Sequence, residues 1–141
     1  MIDLADTKFS QSVTANTPRE QTDDLKVELT RQQLSDLIGQ QLCVKLEDFF
    51  AGQCNKIVVR RCQAHGKLIN FHTDEAEKTL QLSLNDDSEY EGGRLLFVTK
   101  GKVEAPQRKR GTVTVHDNTI VHGVTRLKSG VRYGLFFLQN K

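Results

Sequence analysis

The hydrophobic pattern changes its period near residue 56, and this change constrains the fold more than any other feature of the chain. Beyond it, short runs alternate apolar and polar side chains, with glycine, asparagine and aspartate between the runs. Alternation at a period of two is typical of half-buried β-strands, and those intervening residues are typical of turns. The pattern therefore predicts an all-β sandwich or barrel. We predict strands over residues 57–60, 68–71, 79–84, 94–99, 112–115, 120–121 and 132–138.

One amphipathic helix is predicted ahead of these strands. Thr30 followed by Gln33 matches a capping box, and apolar side chains then recur every three or four residues until Gly52. This spacing predicts a single helix over about residues 31–51 that packs against one face of the sheet. The alternation in residues 25–29 predicts a short strand before it.

The length and polarity of the chain predict one domain that follows a polar N-terminal arm. The chain has 141 residues, which suits a single compact core. Residues 1–24 contain few apolar side chains, so we expect a weakly ordered N-terminal arm, followed by one domain over residues 25–141.

Charge, hydropathy and cysteine usage exclude several classes of protein. The net charge is only +2, which does not favour a nucleic-acid partner. No apolar run is long enough to cross a bilayer, and the acidic start of the chain does not match a signal peptide. The three cysteines match no zinc module. We therefore expect an intracellular, cytoplasmic protein without a membrane partner.

Four residues in the second half of the chain could carry chemistry. His72 and Asp74 end a predicted strand, where side chains two residues apart project to the same side and could grip one cation. His122 lies among β-branched residues, and such a histidine is more often a partly buried side chain than a ligand. Arg132 opens a very apolar strand, where it either faces outward or holds the carboxylate of a ligand.

One predicted strand has an unusual polar face. In residues 79–84, the leucines share one side, and Thr79, Gln81 and Ser83 share the other. The polar side must meet either solvent or an internal polar site.

Taken together, the order of these features resembles the Fe(II)- and 2-oxoglutarate-dependent oxygenases, most closely the prolyl-4-hydroxylase-like branch. The resemblance covers about residues 56–138. Its motifs are His-x-Asp, a polar-faced strand, a Gly-Gly pair, a proline-to-glycine turn, and a histidine followed by an arginine. They fall in residues 66–74, 82–85, 91–97, 106–111 and 122–133.

The resemblance implies a mostly β, cupin-like jelly roll, a double-stranded β-helix with one N-terminal packing helix. It implies an iron triad of His72, Asp74 and His122, with Arg132 on the far carboxylate of 2-oxoglutarate. The cofactors implied are Fe(II), 2-oxoglutarate and dioxygen, with ascorbate as a candidate reductant. The polar face of Thr79, Gln81 and Ser83 would then meet the co-substrate.

The resemblance also implies an activity, and several departures bear on it. Asp74 favours hydroxylation over halogenation, since halogenating relatives lack this carboxylate. Leu138 stands where nucleic-acid dealkylating relatives have a second arginine, while Cys62 and Ser83 stand where some relatives have tyrosine. We expect a dioxygenase that hydroxylates a peptidyl residue such as proline. A catalytically silent metal- and 2-oxoglutarate-binding module and a nucleic-acid dealkylating oxygenase remain as alternatives.

Two features outside these motifs carry structural expectations. His116 is expected to have a structural role, not a ligand role. The basic stretch over residues 100–110 is expected to be the solvated tip of a hairpin, although an acidic partner could also bind it.

Overall fold

The computed structural model describes residues 1–63 and 68–141, and only the backbone of Glu20. Helices occupy the first third of the chain and strands the rest, as the change of period predicts. The helices are α1 (Ile2–Thr14), α2 (Arg19–Asp23), α3 (Arg31–Ile38) and α4 (Gln40–Glu47). The strands are β1 (Asp24–Leu29), β2 (Lys56–Gln63), β3 (Ile69–His72), β4 (Lys78–Ser83), β5 (Tyr90–Gly92), β6 (Leu95–Thr99), β7 (Lys102–Glu104), β8 (Val113–Asp117), β9 (Val121–Val124) and β10 (Leu127–Gln139).

The strands form two antiparallel sheets. The larger has the order β1-β2-β10-β4-β8, with β5 paired to the first part of β10, and the smaller has the order β3-β9-β6-β7. Strands that are distant in sequence are therefore neighbours in both sheets, as a jelly roll requires. This arrangement confirms the predicted mostly β, double-stranded β-helix fold.

The main hydrophobic core lies between the larger sheet and the helices. Leu80, Leu82, Leu135 and Phe137 project to that side, where they meet buried side chains of the N-terminal part of the chain. Because side chains alternate along a strand, the intervening residues of β4 and β10 project to the opposite face. That face encloses the interior of the jelly roll. The helical side of the core contains Ala5, Leu34, Cys43, Leu46 and Phe50.

The helical region departs from the predicted single helix. The Thr30–Gln33 capping box is present as predicted. The helix breaks at Gly39, however, with φ +86° and ψ 152° between α3 and α4. This backbone conformation is essentially restricted to glycine, so the break falls at this residue. The spacing of apolar side chains continues on both sides of it, and the hydrophobic pattern therefore predicts one helix.

Residues 1–24 contain α1 and α2, in the segment where the sequence led us to expect a weakly ordered arm. In α1, Ala5 is 1% exposed within the core, and Asp6 pairs with Arg61 at 2.9 Å and accepts a hydrogen bond from Tyr133. Met1 and Leu4 pack against the same core, so a few isolated residues of a mostly polar segment hold this helix in place. The start of the domain at residue 25 stays a prediction.

The predicted strands are all present with shifted ends, but two short strands escaped prediction. β5 and β7 are only three residues long, and β7 is an exposed edge strand. Neither carries the alternating pattern on which the prediction depended. The glycine turn predicted between the strands at 57–60 and 68–71 falls at Gly66, which lies outside the described residues. None of the helices in the described part of the chain has the length and hydropathy needed to span a bilayer.

Candidate metal centre and arginine pocket

The smaller sheet brings together the three residues of the predicted triad. His72 ends β3 and lies opposite His122 of the neighbouring β9, while Asp74 follows in the connection to β4. The Nε2 atoms of His72 and His122 lie 3.4 and 3.2 Å from Oδ1 of Asp74. All three candidate ligand atoms lie within 4.8 Å of one another, a spacing at which they can share one metal ion.

Backbone carbonyls orient both imidazoles. Nδ1 of His72 lies 2.7 Å from the Asn70 carbonyl oxygen, and Nδ1 of His122 lies 3.1 Å from that of Ile120. Since a carbonyl oxygen only accepts, Nδ1 carries the proton in each ring and donates it. This leaves the lone pair of each Nε2 directed at the triad, as is usual for metal-binding histidines.

The second oxygen of Asp74 is fully engaged by the protein. Oδ2 accepts from the Thr79 hydroxyl at 2.7 Å and lies 2.9 Å from Nε2 of His116. Burial alone would raise the pKa of Asp74, but these hydrogen bonds and the neighbouring histidines hold it well below its usual value. For His122, burial disfavours the charged imidazolium and so lowers the pKa. Both groups are therefore in their metal-binding forms near neutral pH, an anionic carboxylate and a neutral imidazole.

His116 contacts Asp74, a partner that the sequence did not indicate, and its expected structural role stays a prediction. It lies opposite Thr79 in the β4–β8 pairing, so both side chains reach Asp74 from adjacent strands. Its ring lies 4.4 Å from that of His122 and meets Phe97 edge-on at 5.4 Å. Its Nδ1 is buried and has no hydrogen-bond partner among the described residues.

The triad opens into a cavity of roughly 630 Å³ that also contains polar side chains of the larger sheet. Thr79 and Gln81 line it, and each is less than a tenth exposed. Ser83 is equally buried, although it faces Arg108 and is not part of this lining. The polar face of β4 therefore meets an internal polar site, the second of the two possibilities that its sequence left open.

Arg132 projects into the same cavity and is 7% exposed. It donates to the Gly93 carbonyl at 2.9 Å, and another of its nitrogens lies 3.9 Å from the Cys62 sulfur. Within the described residues, no carboxylate pairs with it. The outward-facing position that the sequence allowed is thus wrong, because β10 is interior and not an edge strand.

Arg108 also differs from expectation. The sequence placed it in a solvated basic hairpin tip, yet it is 4% exposed, and its Nε donates to the Ser83 hydroxyl at 3.0 Å. Lys109 and Arg110 beside it are exposed, as predicted. The backbone N–H of Arg108 donates to Oδ2 of Asp87, and the Arg108 carbonyl accepts from the Asp87 N–H, which fixes the chain at this residue. No local pattern signals these hydrogen bonds, since they join segments about 20 residues apart.

Searches for relatives by sequence find no match. No protein-family model matches the chain, and no curated protein does so. The fold, in contrast, matches many solved structures.

A prolyl hydroxylase of Trichoplax adhaerens, solved with a hypoxia-inducible-factor peptide fragment, matches with a TM-score of 0.64 at 14% identity. The match covers 83% of this chain and 63% of that one. A Pseudomonas putida prolyl-4-hydroxylase matches with a TM-score of 0.56 at 15% identity, over 99% of this chain and 87% of that one.

A third match is an oxidoreductase of the 2OG-Fe(II) oxygenase family from Burkholderia pseudomallei. It has a TM-score of 0.59 at 18% identity, and the match covers 76% of this chain. The chain spans only 55% of that protein's length. These similarities confirm the fold that the sequence motifs implied. The chain has the double-stranded β-helix fold that is also found in 2-oxoglutarate and Fe(II)-dependent oxygenases, prolyl hydroxylases among them.

Proposed function

We propose that this protein is an Fe(II)- and 2-oxoglutarate-dependent dioxygenase that hydroxylates an unactivated C–H bond. The observation that supports this most is the content of one cavity. It combines a two-histidine, one-carboxylate donor set with an arginine that no described carboxylate neutralises. Such a donor set suits non-haem Fe(II) and leaves coordination positions open for further ligands. An arginine at the other end suits a co-substrate with a second carboxylate.

Some residues of the cavity would bind the metal and others the co-substrate. His72, Asp74 and His122 would hold Fe(II), and Arg132 would hold the far carboxylate of 2-oxoglutarate, with Thr79 and Gln81 beside it. Ser83 would act through Arg108, since its hydroxyl accepts a hydrogen bond from Nε of that arginine. Bound Fe(II) would supply the activation of dioxygen, with one oxygen atom going into succinate as 2-oxoglutarate loses carbon dioxide and the other going into the C–H bond of the substrate. Ascorbate would serve as the reductant that keeps the iron ferrous.

We propose a peptidyl substrate, with proline as the first residue to test. The lining of the cavity includes exposed charged residues of both signs, among them Lys26 and Glu28. Mixed charge at the opening favours a polypeptide over the uniformly anionic backbone of a nucleic acid. The Trichoplax adhaerens prolyl hydroxylase, which shares the fold, was solved with a peptide fragment. An extended peptide can lie across such a mouth with its backbone hydrogen-bonded.

The test is turnover on pools of peptides and oligonucleotides. Purified protein with Fe(II), ascorbate and 2-oxoglutarate is given proline-containing peptides, matched peptides without proline, or alkylated single-stranded DNA. Succinate and product masses are then measured. We expect succinate and a gain of about 16 mass units, the mass of one oxygen atom, with proline peptides, and neither in Asp74→Ala.

Two other results would each replace the proposal. Dealkylation of the oligonucleotide with every peptide inert would identify a nucleic-acid dealkylating oxygenase. Tight binding of metal and 2-oxoglutarate with no succinate from any pool would identify a silent binding module.

A further inference from the structure

The outer face of the smaller sheet carries exposed apolar side chains. The helices of the described chain pack against the larger sheet, on the other side of the molecule's core. In β9, His122 faces the metal site, so its neighbour Val121 faces outward. Val98 of β6 lies opposite Val121 on one side and opposite Val103 of β7 on the other. These three valines form a row across the outer face, and Val121 and Val103 are 37% and 61% exposed.

This row ends at an open sheet edge. β7 is the last strand of the smaller sheet, and all three of its residues are exposed. A two-residue turn at residues 100–101, with positive φ at both, joins it to β6 as in a type I′ hairpin. The pair that closes such a turn, Thr99 and Lys102, is hydrogen-bonded, so the next pair, Val98 and Val103, is not. The backbone N–H and C=O of Val103 therefore point to the open edge.

The charges of β7 are arranged so that the strand complements itself. Lys102 and Glu104 flank Val103, and neither forms an ion pair with a described residue. Charged side chains on an edge strand usually discourage pairing with another chain. In an antiparallel pair with a two-fold axis at Val103, however, Lys102 of each copy lies opposite Glu104 of the other. Opposite charges directly across an antiparallel pair stabilise it.

β1 has the same order of residues in different surroundings. It is an edge strand of the larger sheet and contains Lys26, Val27 and Glu28. Val27 packs against the main core, and the Glu28 carboxylate lies 3.8 Å from the Lys56 ammonium of the same chain. The apolar residue and the acid of β1 thus have partners within the chain, whereas those of β7 point to solvent. β1 therefore provides a matched control.

We infer that β7 is a contact surface for a second copy of this chain, which pairs with it antiparallel about a two-fold axis at Val103. The two four-stranded sheets join into one continuous sheet. Val103 of each copy exchanges both backbone hydrogen bonds with its counterpart, and the two valine rows become one row across the axis. Because the same edge is used in both copies, association stops at the dimer.

The short ladder sets the strength of the contact. β7 has three residues, while stable interfaces commonly bury about 1,200–2,000 Å². We therefore expect a reversible dimer with a Kd on the order of 10 µM.

The experiment is sedimentation equilibrium of the full chain without metal or co-substrate. Because dimerisation follows mass action, the chain is measured over about 1–500 µM. The variants are Lys102→Glu, Glu104→Lys and the double variant that carries both changes. The matched control is Lys26→Glu, which makes the same change in the same three-residue order of β1. The melting temperature of each variant at the lowest concentration shows that it is folded.

We expect the wild-type mass to rise from that of one chain to that of two. Each single variant should dimerise about tenfold more weakly, since it places like charges opposite each other twice in every dimer. The double variant should return to within about threefold of wild type, because exchanging the two residues restores the opposite charges. Lys26→Glu should match wild type.

Three results would overturn the inference. A wild-type chain that stays monomeric over the whole range has no such contact surface. A double variant that dimerises as weakly as the single variants would exclude the two-fold pairing of Lys102 with Glu104. Loss of the dimer in Lys26→Glu but not in Lys102→Glu would place the contact at β1.

Discussion

The two ends of the jelly-roll interior are built on opposite principles. At the metal end, the protein itself satisfies the side chains that surround the candidate ligand atoms: Asp74 is held by Thr79 and His116, and the ligand imidazoles are held by backbone carbonyls. At the arginine end, Arg132 is 7% exposed and pairs with no carboxylate of the described residues. The first arrangement fixes geometry before a ligand arrives, and the second leaves a positive charge for a ligand to neutralise.

The largest effect is expected at the metal end. Removing one ligand, in His72→Ala, Asp74→Ala or His122→Ala, should abolish the binding of one Mn(II) per chain in a calorimetric titration, since two donors rarely hold such an ion. Mn(II) should also no longer raise the melting temperature, because only an ion that binds the folded state stabilises it. Wild-type metal affinity in His122→Ala would show that the triad assignment is wrong.

Arg132→Ala should weaken 2-oxoglutarate binding without affecting metal binding. We expect it to leave Mn(II) binding intact and to weaken 2-oxoglutarate binding by about 2–5 kcal/mol, which is roughly 30- to several-thousand-fold. Arg132→Lys should recover part of this loss, because an ammonium keeps the charge but not the two-point geometry. Unchanged 2-oxoglutarate affinity in Arg132→Ala would remove this residue from the co-substrate site.

His116→Phe tests whether the metal end depends on its supporting contacts. The substitution keeps a ring of similar size beside Phe97 but removes the hydrogen bond to Oδ2 of Asp74. We expect Mn(II) affinity to fall by about 10- to 100-fold, as loss of such an outer contact commonly does. Affinity at the wild-type level would mean that Thr79 alone positions the carboxylate, and total loss would make His116 a ligand.

The smallest effect is expected at the ion pair between Arg60 and Asp24. Burial raises and the Arg60 ion pair lowers the pKa of Asp24, with a net lowering. A carboxyl with a lowered folded-state pKa adds stability above its unfolded value, near about 3.9, and this stability is lost as the pH falls through the folded-state value. Asp24→Asn should therefore lower the free energy of unfolding at pH 7 by about 1 kcal/mol, since the pair is partly exposed to solvent.

The measurement is urea denaturation at pH 7 and at pH 3. The gap between wild type and Asp24→Asn should narrow at the lower pH, and an equal gap at both would contradict the role of this ion pair.

The sequence located the three candidate metal ligands and Arg132 better than it located Arg108, and the reason is physical. His72, Asp74, His122 and Arg132 lie within or directly after strands, where alternation sets the direction of a side chain. Arg108 lies in a loop, and its burial depends on the distant Asp87, which no local pattern reveals. The same limit applies to α1, where the contacts of Ala5 and Asp6 come from residues far along the chain.

The central claim is that one cavity holds a metal at one end and the far carboxylate of 2-oxoglutarate at the other. It is tested most directly by titrating 2-oxoglutarate into the wild-type chain with and without Mn(II). The account predicts one 2-oxoglutarate per chain, bound at least about tenfold more tightly when Mn(II) is present, with this gain lost in Asp74→Ala. Equal affinity with and without the metal, or no binding at all, would contradict it.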